Sequence, residues 1–152
     1  MKKVKIREAK KTDFQDIADL SKQLGYEVSV DDVNYRYNCI NSNPDSTLLV
    51  AENENRVVAW IQGDIENKSD KYKFGLVSGL VVDKDHRQRG IGTELLTVVE
   101  DWCFRKGCLG VRINSGSRRK EAHKLYEKLG YINKKTYNSF YKELNDNINS
   151  KN

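Results

Sequence analysis

The sequence predicts an α/β fold in which a mixed sheet carries helices on its faces. Several short segments are apolar with the pattern of strands, other segments repeat apolar residues at helical spacing, and glycine or polar turns separate the two kinds. The predicted order is β-α-α-β-β-β-α-β-α-β-β, with no internal repeat or linker. We therefore expect a single domain over residues 1–144 and a disordered tail over residues 145–152.

The first part of the chain is predicted to form one strand and two helices. Residues 3–8 have a strand pattern, and residues 12–15 (Thr-Asp-Phe-Gln) have the form of a capping box. The helix that follows can end at Gly25. A second helix is predicted from about Val30 to Ile40, and Pro44 marks the exit from it.

Three strands are predicted next. Leu48–Ala51 and Arg56–Ile61 are joined through the turn residues Asn53–Asn55, which favours a hairpin. A polar connection, Asn67–Lys73, leads to the strand Phe74–Val82. Gly79 lies inside this third strand and indicates a bulge that opens the sheet.

The remainder is predicted to alternate helices and strands. A long helix opened by glycines can end at Gly107, and a strand covers residues 109–114. A loop rich in Ser and Gly leads to a final helix before Gly130. The last two strands are expected near Tyr131–Lys135 and Ser139–Leu144.

Composition limits the classes of protein. The chain has 152 residues with 38% hydrophobic and 32% charged residues, and no stretch approaches the roughly 18 apolar residues of a membrane span. Its start lacks the apolar region of a signal peptide. Three cysteines, Cys39, Cys103 and Cys108, form no CxxC pair, so we expect reduced thiols and a cytoplasmic location. With two histidines, no metal site is expected.

The net charge of +5 permits attraction to polyanions, and a nucleic-acid binder is therefore an alternative class. Its affinity for DNA or RNA would depend strongly on salt. The basic residues are spread along the chain, however, and the dense run Arg118–Lys120 begins a predicted helix. We interpret that run as a solvated helix face, and expect neither a nucleic-acid nor a membrane partner.

The segment Leu80–Thr93 predicts a binding site for a diphosphate. An apolar strand runs into a basic loop, and Gly90 and Gly92 then open a helix whose first-turn amides lack partners. Arg87 and Arg89 add positive charge to the helix N-terminus. The segment is neither a P-loop nor a Rossmann fingerprint, because no G-x-x-x-x-G-K-[ST] is present and leucine replaces the third glycine of G-x-G-x-x-G.

Two motifs carry a resemblance to a known family. Residues 87–92 read R-x-x-G-x-G directly after a Leu-x-Val strand, and residues 119–131 match a second signature, A-x-x-L/F-Y-x-x-x-G-F/Y. With residues 139–144 as a last strand, the whole domain resembles the GCN5-related N-acetyltransferase (GNAT) superfamily, which uses acyl-coenzyme A. The resemblance implies a central, mostly antiparallel sheet with a splayed parallel pair and flanking helices.

The resemblance also implies roles for individual residues. Main-chain groups of Leu80, Val81 and Val82 would pair with the pantetheine arm of acetyl-CoA as an added strand. Tyr126 corresponds to the residue that protonates the departing thiolate, although it also lies in an apolar helical stripe and a packing role stays open. The loop that would hold the pyrophosphate, with Arg87 before it, consists of Gln88, Arg89, Gly90, Ile91, Gly92 and Thr93.

Two other cofactor-binding candidates have weaker support. Asn114 ends its strand and would either touch the pantetheine or cap the following loop. Arg119 stands where many members of the superfamily have Asn, and its guanidinium could grip a coenzyme phosphate with two hydrogen bonds. Lys84 replaces the proline that usually follows the Leu-x-Val strand, a change we expect to be harmless.

The chemistry implied is direct transfer of the acetyl group from acetyl-CoA to a primary amine of a small molecule or peptide. A strand amide would polarise the thioester carbonyl. No residue is identified as the base, although Asp64, Glu66 and Ser78 lie on strands that could face the cleft. Homodimers are common in the superfamily, so a homodimer is expected.

Two further functions stay open. One is an aminoglycoside N-acetyltransferase, whose acidic pocket would draw on Glu27, Asp31, Asp32, Asp64 and Glu66. The other is a coenzyme A-binding regulatory or interaction module that has lost catalysis, against which the retained Tyr126 argues. The sequence does not identify the acceptor amine, whose pocket we expect between the first two helices and the Asn67–Lys73 connection.

Overall fold

A single five-stranded sheet, in the spatial order β1-β2-β3-β4-β5, forms the centre of the fold. The computed structural model of the chain describes residues 4–69, 72–114, 120–134 and 140–144. The pairs β1–β2, β2–β3 and β3–β4 are antiparallel, and the pair β4–β5 is parallel. The strands are β1 (Lys5–Glu8), β2 (Ser46–Asn53), β3 (Arg56–Ser69), β4 (Tyr72–Val82) and β5 (Gly110–Ile113). The predicted mixed α/β fold is therefore confirmed.

Four helices accompany the strands in the described part of the chain. They are α1 (Phe14–Lys22), α2 (Val30–Asn41), α3 (Ile91–Arg105) and α4 (Lys120–Lys128). The chain divides into two compact units, Met1–Gly116 and Ser117–Asn152. The first unit holds the sheet with α1, α2 and α3, and the second holds α4. None of the helices in the described ranges is long and apolar enough to cross a membrane.

Helices α1 and α2 cover one face of the sheet. Apolar residues at helical spacing on these helices share one buried cluster with alternate residues of the strands, as the period of a strand requires. The cluster contains Phe14, Ile17, Ala18, Leu20, Val33, Ile40, Leu48, Val50, Val57, Trp60 and Val81. Burying each large side chain of this kind contributes about 1.5–3 kcal/mol, so this cluster fixes the two helices on the sheet.

Helix α3 covers the opposite face. A methyl carbon built on Gly63 of β3 would lie 3.0 Å from Val99 Cγ1 and 3.5 Å from the ring of Trp102. A methyl carbon on Gly75 of β4 would meet Cys103. Glycines on the strands therefore let α3 approach the sheet closely, and the buried residues Leu95, Leu96 and Val99 fill this side.

The hairpin between β3 and β4 differs from the prediction. Asn67–Lys73 was expected to be a connection, but β3 continues to Ser69 and β4 begins at Tyr72. Asn67 pairs with Lys73 in the ladder. Main-chain hydrogen bonds extend the hairpin through polar residues, because a ladder does not require apolar side chains where both strands reach solvent.

The start of α1 also corrects the prediction. The expected capping box at residues 12–15 is wrong: Asp13 accepts a hydrogen bond at 2.8 Å from the main-chain N–H of Lys10, and a short 3₁₀ turn, Lys11–Asp13, precedes the helix. Asp13 is also paired with Arg7 at 2.8 Å. A capping box does occur at α2, where Ser29 and Asp32 satisfy each other's main-chain N–H groups.

The two strands predicted after α4 are wrong for the residues that the structure describes. Residues 131–134 and 140–144 are irregular, and Ile132, Phe140, Tyr141 and Leu144 are exposed. Strand propensity alone does not form a strand, because the main chain needs a partner edge for its hydrogen bonds. The rest of these predicted strands, Arg119 and the predicted tail 145–152 lie outside the described residues.

Candidate functional site

Strand β4 forks away from β5 halfway along its length. The two strands pair only from Phe74 to Val77 of β4. On the other side, Gly79 pairs with Gln62 and Val77 with Gly63, so Ser78 is an extra residue in β4. This is the bulge predicted near Gly79. Beyond it, the β5-facing edge of β4 pairs with no strand of the described structure.

The hydrogen-bonding pattern indicates which main-chain groups face this open edge. Asp83 N–H donates to the Val58 carbonyl at 2.8 Å, so Asp83 faces β3. The direction of the main-chain N–H and C=O groups alternates along an antiparallel strand. The groups of Val81 therefore also face β3, whereas those of Leu80 and Val82 face the open edge. The Val82 carbonyl accordingly accepts a hydrogen bond from Arg87 Nε at 3.0 Å. Pairing with an added strand is thus open to two of the three predicted residues.

The loop after β4 ends at the N-terminus of α3. Gly90 is the N-cap residue with φ +82°, and no side chain caps the helix there. The first i→i−4 hydrogen bond runs from Glu94 N–H to the Gly90 carbonyl at 3.0 Å. The N–H groups of Ile91, Gly92 and Thr93 therefore have no acceptor within the helix, and their dipoles favour an anion.

Charge and backbone shape in this loop agree with an anion site. Arg87 and Arg89 are exposed on either side of Gln88, which has a left-handed φ of +62°. A methyl carbon built on Gly90 would meet no atom within 4 Å, so the space beside this residue is open. These features fit the negative charge and bulk of a diphosphate.

A buried carboxylate anchors the beginning of the loop. Asp83 Oδ1 accepts a hydrogen bond from Gln23 Nε2 at 2.8 Å, and Asp83 Oδ2 is hydrogen-bonded to His86 Nδ1 at 2.6 Å. The side-chain oxygen of Gln23, Oε1, accepts a hydrogen bond from Lys84 N–H at 2.9 Å. The hydrogen bond from Gln23 lowers the pKa of Asp83; burial opposes this shift, and His86 adds to it. The end of α1 thereby holds the loop that leads to α3.

A second polar group lies beside the bulge. Asp64 Oδ1 accepts a hydrogen bond from Ser46 Oγ at 2.6 Å, and Asp64 Oδ2 accepts from Gln62 Nε2 at 3.1 Å. Ser78 Oγ also donates to Asp64 Oδ2. Strands β2, β3 and β4 each contribute to this group, which we call the Asp64 cluster (Ser46, Gln62, Asp64 and Ser78). Ser78 is exposed, so solvent reaches the cluster.

The other acidic candidates lie elsewhere on α2, before it, or further along β3. Asp32 is engaged in capping α2, and its hydrogen bonds with Ser29 lower its pKa. Glu27 and Asp31 are exposed near the start of α2. Glu66 lies two residues beyond Asp64 on β3 and is half-buried. Asp64 is therefore the acidic candidate whose hydrogen bonds define the cluster at the bulge.

The remaining site candidates lie after the fork in the chain. Tyr126 is buried on α4 in the second unit, with its ring in edge contact with Tyr131 at 6.2 Å between centroids. Its main-chain carbonyl accepts from Tyr131 N–H at 2.9 Å. Asn114 follows β5 and is exposed, and Arg119 is not among the described residues. The roles of these three residues stay predictions.

Sequence reasoning missed several residues of the two polar groups. Asp83 directly follows the apolar run Leu80–Val82, and a carboxylate at the end of such a strand is a signal that could have been followed. Gln23 gave no signal, because it lies sixty residues away and only the fold brings it to the loop. Ser46 meets Asp64 through strand register, which the sequence alone did not reveal, whereas Gln62 lies two residues before Asp64 on β3.

Comparisons with known proteins agree with this geometry. The sequence profile of the Acetyltransferase (GNAT) family matches residues 11–131. The chain is 32% identical over 89 residues to the uncharacterized N-acetyltransferase YhdJ of Bacillus subtilis. That alignment covers 57% of this chain and 63% of YhdJ, so the chain spans less than two thirds of the relative's own length.

Solved structures share the fold. Glucosamine-6-phosphate N-acetyltransferase from Arabidopsis thaliana superposes with a TM-score of 0.78 at 27% identity, covering 93% of this chain and 100% of that chain. AAC(6')-Iy, in complex with the bisubstrate analogue CoA-S-monomethyl-acetylneamine, superposes with a TM-score of 0.81 at 20% identity. The second superposition covers 93% of this chain and 99% of that chain, and at such low identity it establishes the fold alone.

Proposed function

The chain belongs to the acetyltransferase (GNAT) family, and from this membership we propose that it is an N-acetyltransferase. Its donor substrate would be acetyl-CoA, and its acceptor a primary amine of a small molecule or a peptide. The observation that carries the proposal is the open edge of β4, which leads directly into the uncapped N-terminus of α3. One surface of the chain thus offers hydrogen bonds for an extended amide chain and, next to them, a cradle for a diphosphate.

The donor site would use main-chain groups for most of its contacts. Leu80 and Val82 offer outward N–H and C=O groups to the two amides of a pantetheine arm, as an added strand would use them. Ile91, Gly92 and Thr93 offer amides to the diphosphate. Arg87 now donates to the Val82 carbonyl, so this side chain would turn toward the phosphates when the arm takes its place.

AAC(6')-Iy, solved with CoA and with a CoA-containing analogue, shares this fold and supports acetyl-CoA as the donor. The predicted roles of Asn114 and Arg119 toward the coenzyme belong to this proposal as well. Asn114 would contact the arm from the end of β5, and Arg119 would neutralise a phosphate through its guanidinium.

The reaction proposed is direct acyl transfer. The amine nitrogen bonds to the thioester carbonyl carbon, a tetrahedral intermediate forms, and the carbon–sulfur bond then breaks. An outward N–H of the β4 edge would stabilise the negative charge on the carbonyl oxygen. Tyr126 would protonate the leaving thiolate, a modest contribution because a thiolate is a reasonable leaving group. Alignment of amine and thioester supplies much of the remaining acceleration.

Release of free thiol from acetyl-CoA tests this proposal. The wild-type protein is assayed with tobramycin, spermidine, glucosamine 6-phosphate and a lysine-containing peptide as acceptors. Tobramycin represents the aminoglycoside alternative, and glucosamine 6-phosphate the amino sugar in the name of the Arabidopsis relative. Turnover of any of these amines supports the enzyme. Tight acetyl-CoA binding without turnover would favour the regulatory module, and failure to bind acetyl-CoA would refute the proposal.

A matched pair of variants tests the role of Tyr126. Tyr126→Phe and Tyr131→Phe each remove one hydroxyl, and each keeps the edge contact between the two rings. We expect Tyr126→Phe to lower kcat by about tenfold, which is less than the roughly 10²–10⁴-fold typical of general acid catalysis because a thiolate leaves readily. Tyr131→Phe should leave kcat unchanged. Equal effects of the two variants would assign Tyr126 a packing role.

Three properties of the proposal concern the protein as a whole. Residues 1–144 would act as one acetyltransferase domain, because the family match extends across both compact units. Cys39, Cys103 and Cys108 are free cysteines, which fits a reducing compartment such as the cytoplasm. A homodimer is proposed from the family alone, and sedimentation at micromolar concentration would test it.

A further inference from the structure

Ser78 occupies the point at which the β4 edge becomes free. It is the extra residue of the bulge, and pairing with β5 stops at Val77 immediately before it. Ser78 lies four residues before Val82, about 13 Å at roughly 3.3 Å per residue. The proposed diphosphate site follows Val82, so a substrate laid along the edge brings its acyl end back to Ser78. The inference below therefore rests on the proposed function.

Asp64 is held beside Ser78 as a carboxylate. It accepts hydrogen bonds from Ser46 on β2, from Gln62 on β3 and from Ser78 on β4. Three donors are thus aimed at the two oxygens of one carboxyl group, which accepts from all of them. Asp64 is half-buried, and three strands fix its orientation. The group is therefore a fixed proton acceptor rather than a freely rotating surface side chain.

The hydroxyl of Ser78 connects this carboxylate to solvent. Its proton points to Asp64 Oδ2, since a carboxylate does not donate. The two lone pairs of Ser78 Oγ are then left to accept a hydrogen bond from outside, and the residue is exposed. An approaching amine can donate an N–H to this oxygen. A hydrogen bond from the amine to Ser78 Oγ would place the amine nitrogen beside the end of the free β4 edge.

We propose that Ser78 and Asp64 form the base of the acetyl transfer. Ser78 Oγ accepts an N–H of the acceptor amine, and Asp64 receives the proton that Ser78 passes on. As the nitrogen bonds to the carbonyl carbon, the nitrogen proton moves to Ser78 Oγ and the Ser78 proton moves to Asp64 Oδ2. The carbon–sulfur bond then breaks, the thiolate takes a proton, and Asp64 returns its proton to solvent.

The roles of the two residues differ. Ser78 touches the substrate and is a catalytic residue, whereas Asp64 acts through Ser78. Ser46 donates to the other oxygen, Asp64 Oδ1, and has no part in the transfer. This asymmetry provides a comparison inside the cluster, because Ser46→Ala and Ser78→Ala each remove one hydrogen bond from the same carboxylate.

The experiment measures acetyl transfer by four variants and the wild type: Ser78→Ala, Asp64→Asn, Ser46→Ala and Ser78→Thr. The acceptor is whichever amine the wild type acetylates fastest among tobramycin, spermidine, glucosamine 6-phosphate and the peptide. We expect Ser78→Ala and Asp64→Asn to lower kcat by about 10²-fold, the usual size of base catalysis. KM for the amine and the Kd for acetyl-CoA should change less than about threefold. The double variant should be no slower than the worse single variant.

Ser46→Ala should lower kcat by less than about threefold, and Ser78→Thr, which keeps the hydroxyl, should restore most of the rate. Full activity of Ser78→Ala or Asp64→Asn would overturn the assignment. Equal losses in Ser46→Ala and Ser78→Ala would also overturn it, since Ser78 would then merely support Asp64. A wild type that binds acetyl-CoA but acetylates no amine would instead overturn the proposed function.

Discussion

Gly90→Ala is the sharpest test of the site at the N-terminus of α3, because Gly107 offers a matched control at the other end of the same helix. Gly90 has φ +82° and Gly107 has φ +87°. A methyl carbon built on either residue meets no atom within 4 Å. The two substitutions therefore impose the same left-handed strain without a steric clash. They differ in that the proposed diphosphate site adjoins Gly90 and not Gly107.

The expected loss of stability is the same for both variants. A left-handed conformation costs a residue with a Cβ about 1–2 kcal/mol. The reduced freedom of alanine in the unfolded chain offsets about 0.4–1 kcal/mol of this. A net loss of about 1 kcal/mol remains, which lowers the Tm of a protein of this size by about 2–4 °C. Neither variant should unfold the protein.

Only Gly90→Ala should affect the binding of CoA. A methyl group on Gly90 meets no protein atom within 4 Å, and we expect it to crowd a diphosphate bound at the amides of Ile91, Gly92 and Thr93. We expect its Kd for CoA, measured by isothermal titration calorimetry, to rise at least about tenfold, or about 1.4 kcal/mol. Gly107→Ala should bind CoA as the wild type does. Equal Kd values for the two variants, with matching losses of Tm, would refute a phosphate site at this helix.

Three further predictions concern stability and reactivity. In Gly79→Ala the new methyl carbon would lie 2.6 Å from Cη2 of the buried Trp60 ring, so we expect a loss of about 1–3 kcal/mol in thermal denaturation, and an unchanged Tm would contradict this packing. Burial acts to raise the pKa of Asp13, but hydrogen bonds from Arg7 and from a main-chain N–H outweigh it and lower the pKa. This stabilisation is present above the unfolded pKa of about 3.9 and is lost as the pH falls through the folded pKa, so urea titrations should show the gap between wild type and Asp13→Asn shrinking from pH 7 to about pH 2. Burial raises the pKa of Cys103 to about 12, so iodoacetamide at about pH 8 should leave it unmodified in native protein, as peptide mapping would report.

The sequence predicted the elements around the donor site well because their signals are local. Glycine and arginine spacing marked the loop before α3, and Gly79 marked the bulge. Gly90 adopts a left-handed φ that few residues allow, and Gly79 leaves room for the Trp60 ring, so each glycine is tied to the structure nearby. The open edge of β4 and the N-terminus of α3 follow from them.

Features that depend on register or on distant partners could not be predicted in the same way. Thr12 was expected to cap α1, but Arg7 and the main chain of Lys10 engage the neighbouring Asp13 and move the start of the helix. Polar residues suggested a loop at Asn67–Lys73, although the ladder continues there. In each case a long-range or main-chain interaction outweighed the local preference.

The bulge at Ser78 explains why the donor edge and the proposed base lie together. An extra residue shifts the alternation of main-chain groups along β4 by one. After the bulge, the outward groups belong to Leu80 and Val82. Before it, they belong to odd-numbered residues such as Lys73, and the Lys73 carbonyl accepts from Leu109 N–H at 2.9 Å. The same residue interrupts the ladder and turns its hydroxyl toward Asp64. Deleting Ser78 would close the bulge and remove the hydroxyl, while the groups of Leu80 and Val82 would still face outward. One inserted residue therefore stands where the free edge begins and supplies the hydroxyl of the proposed base.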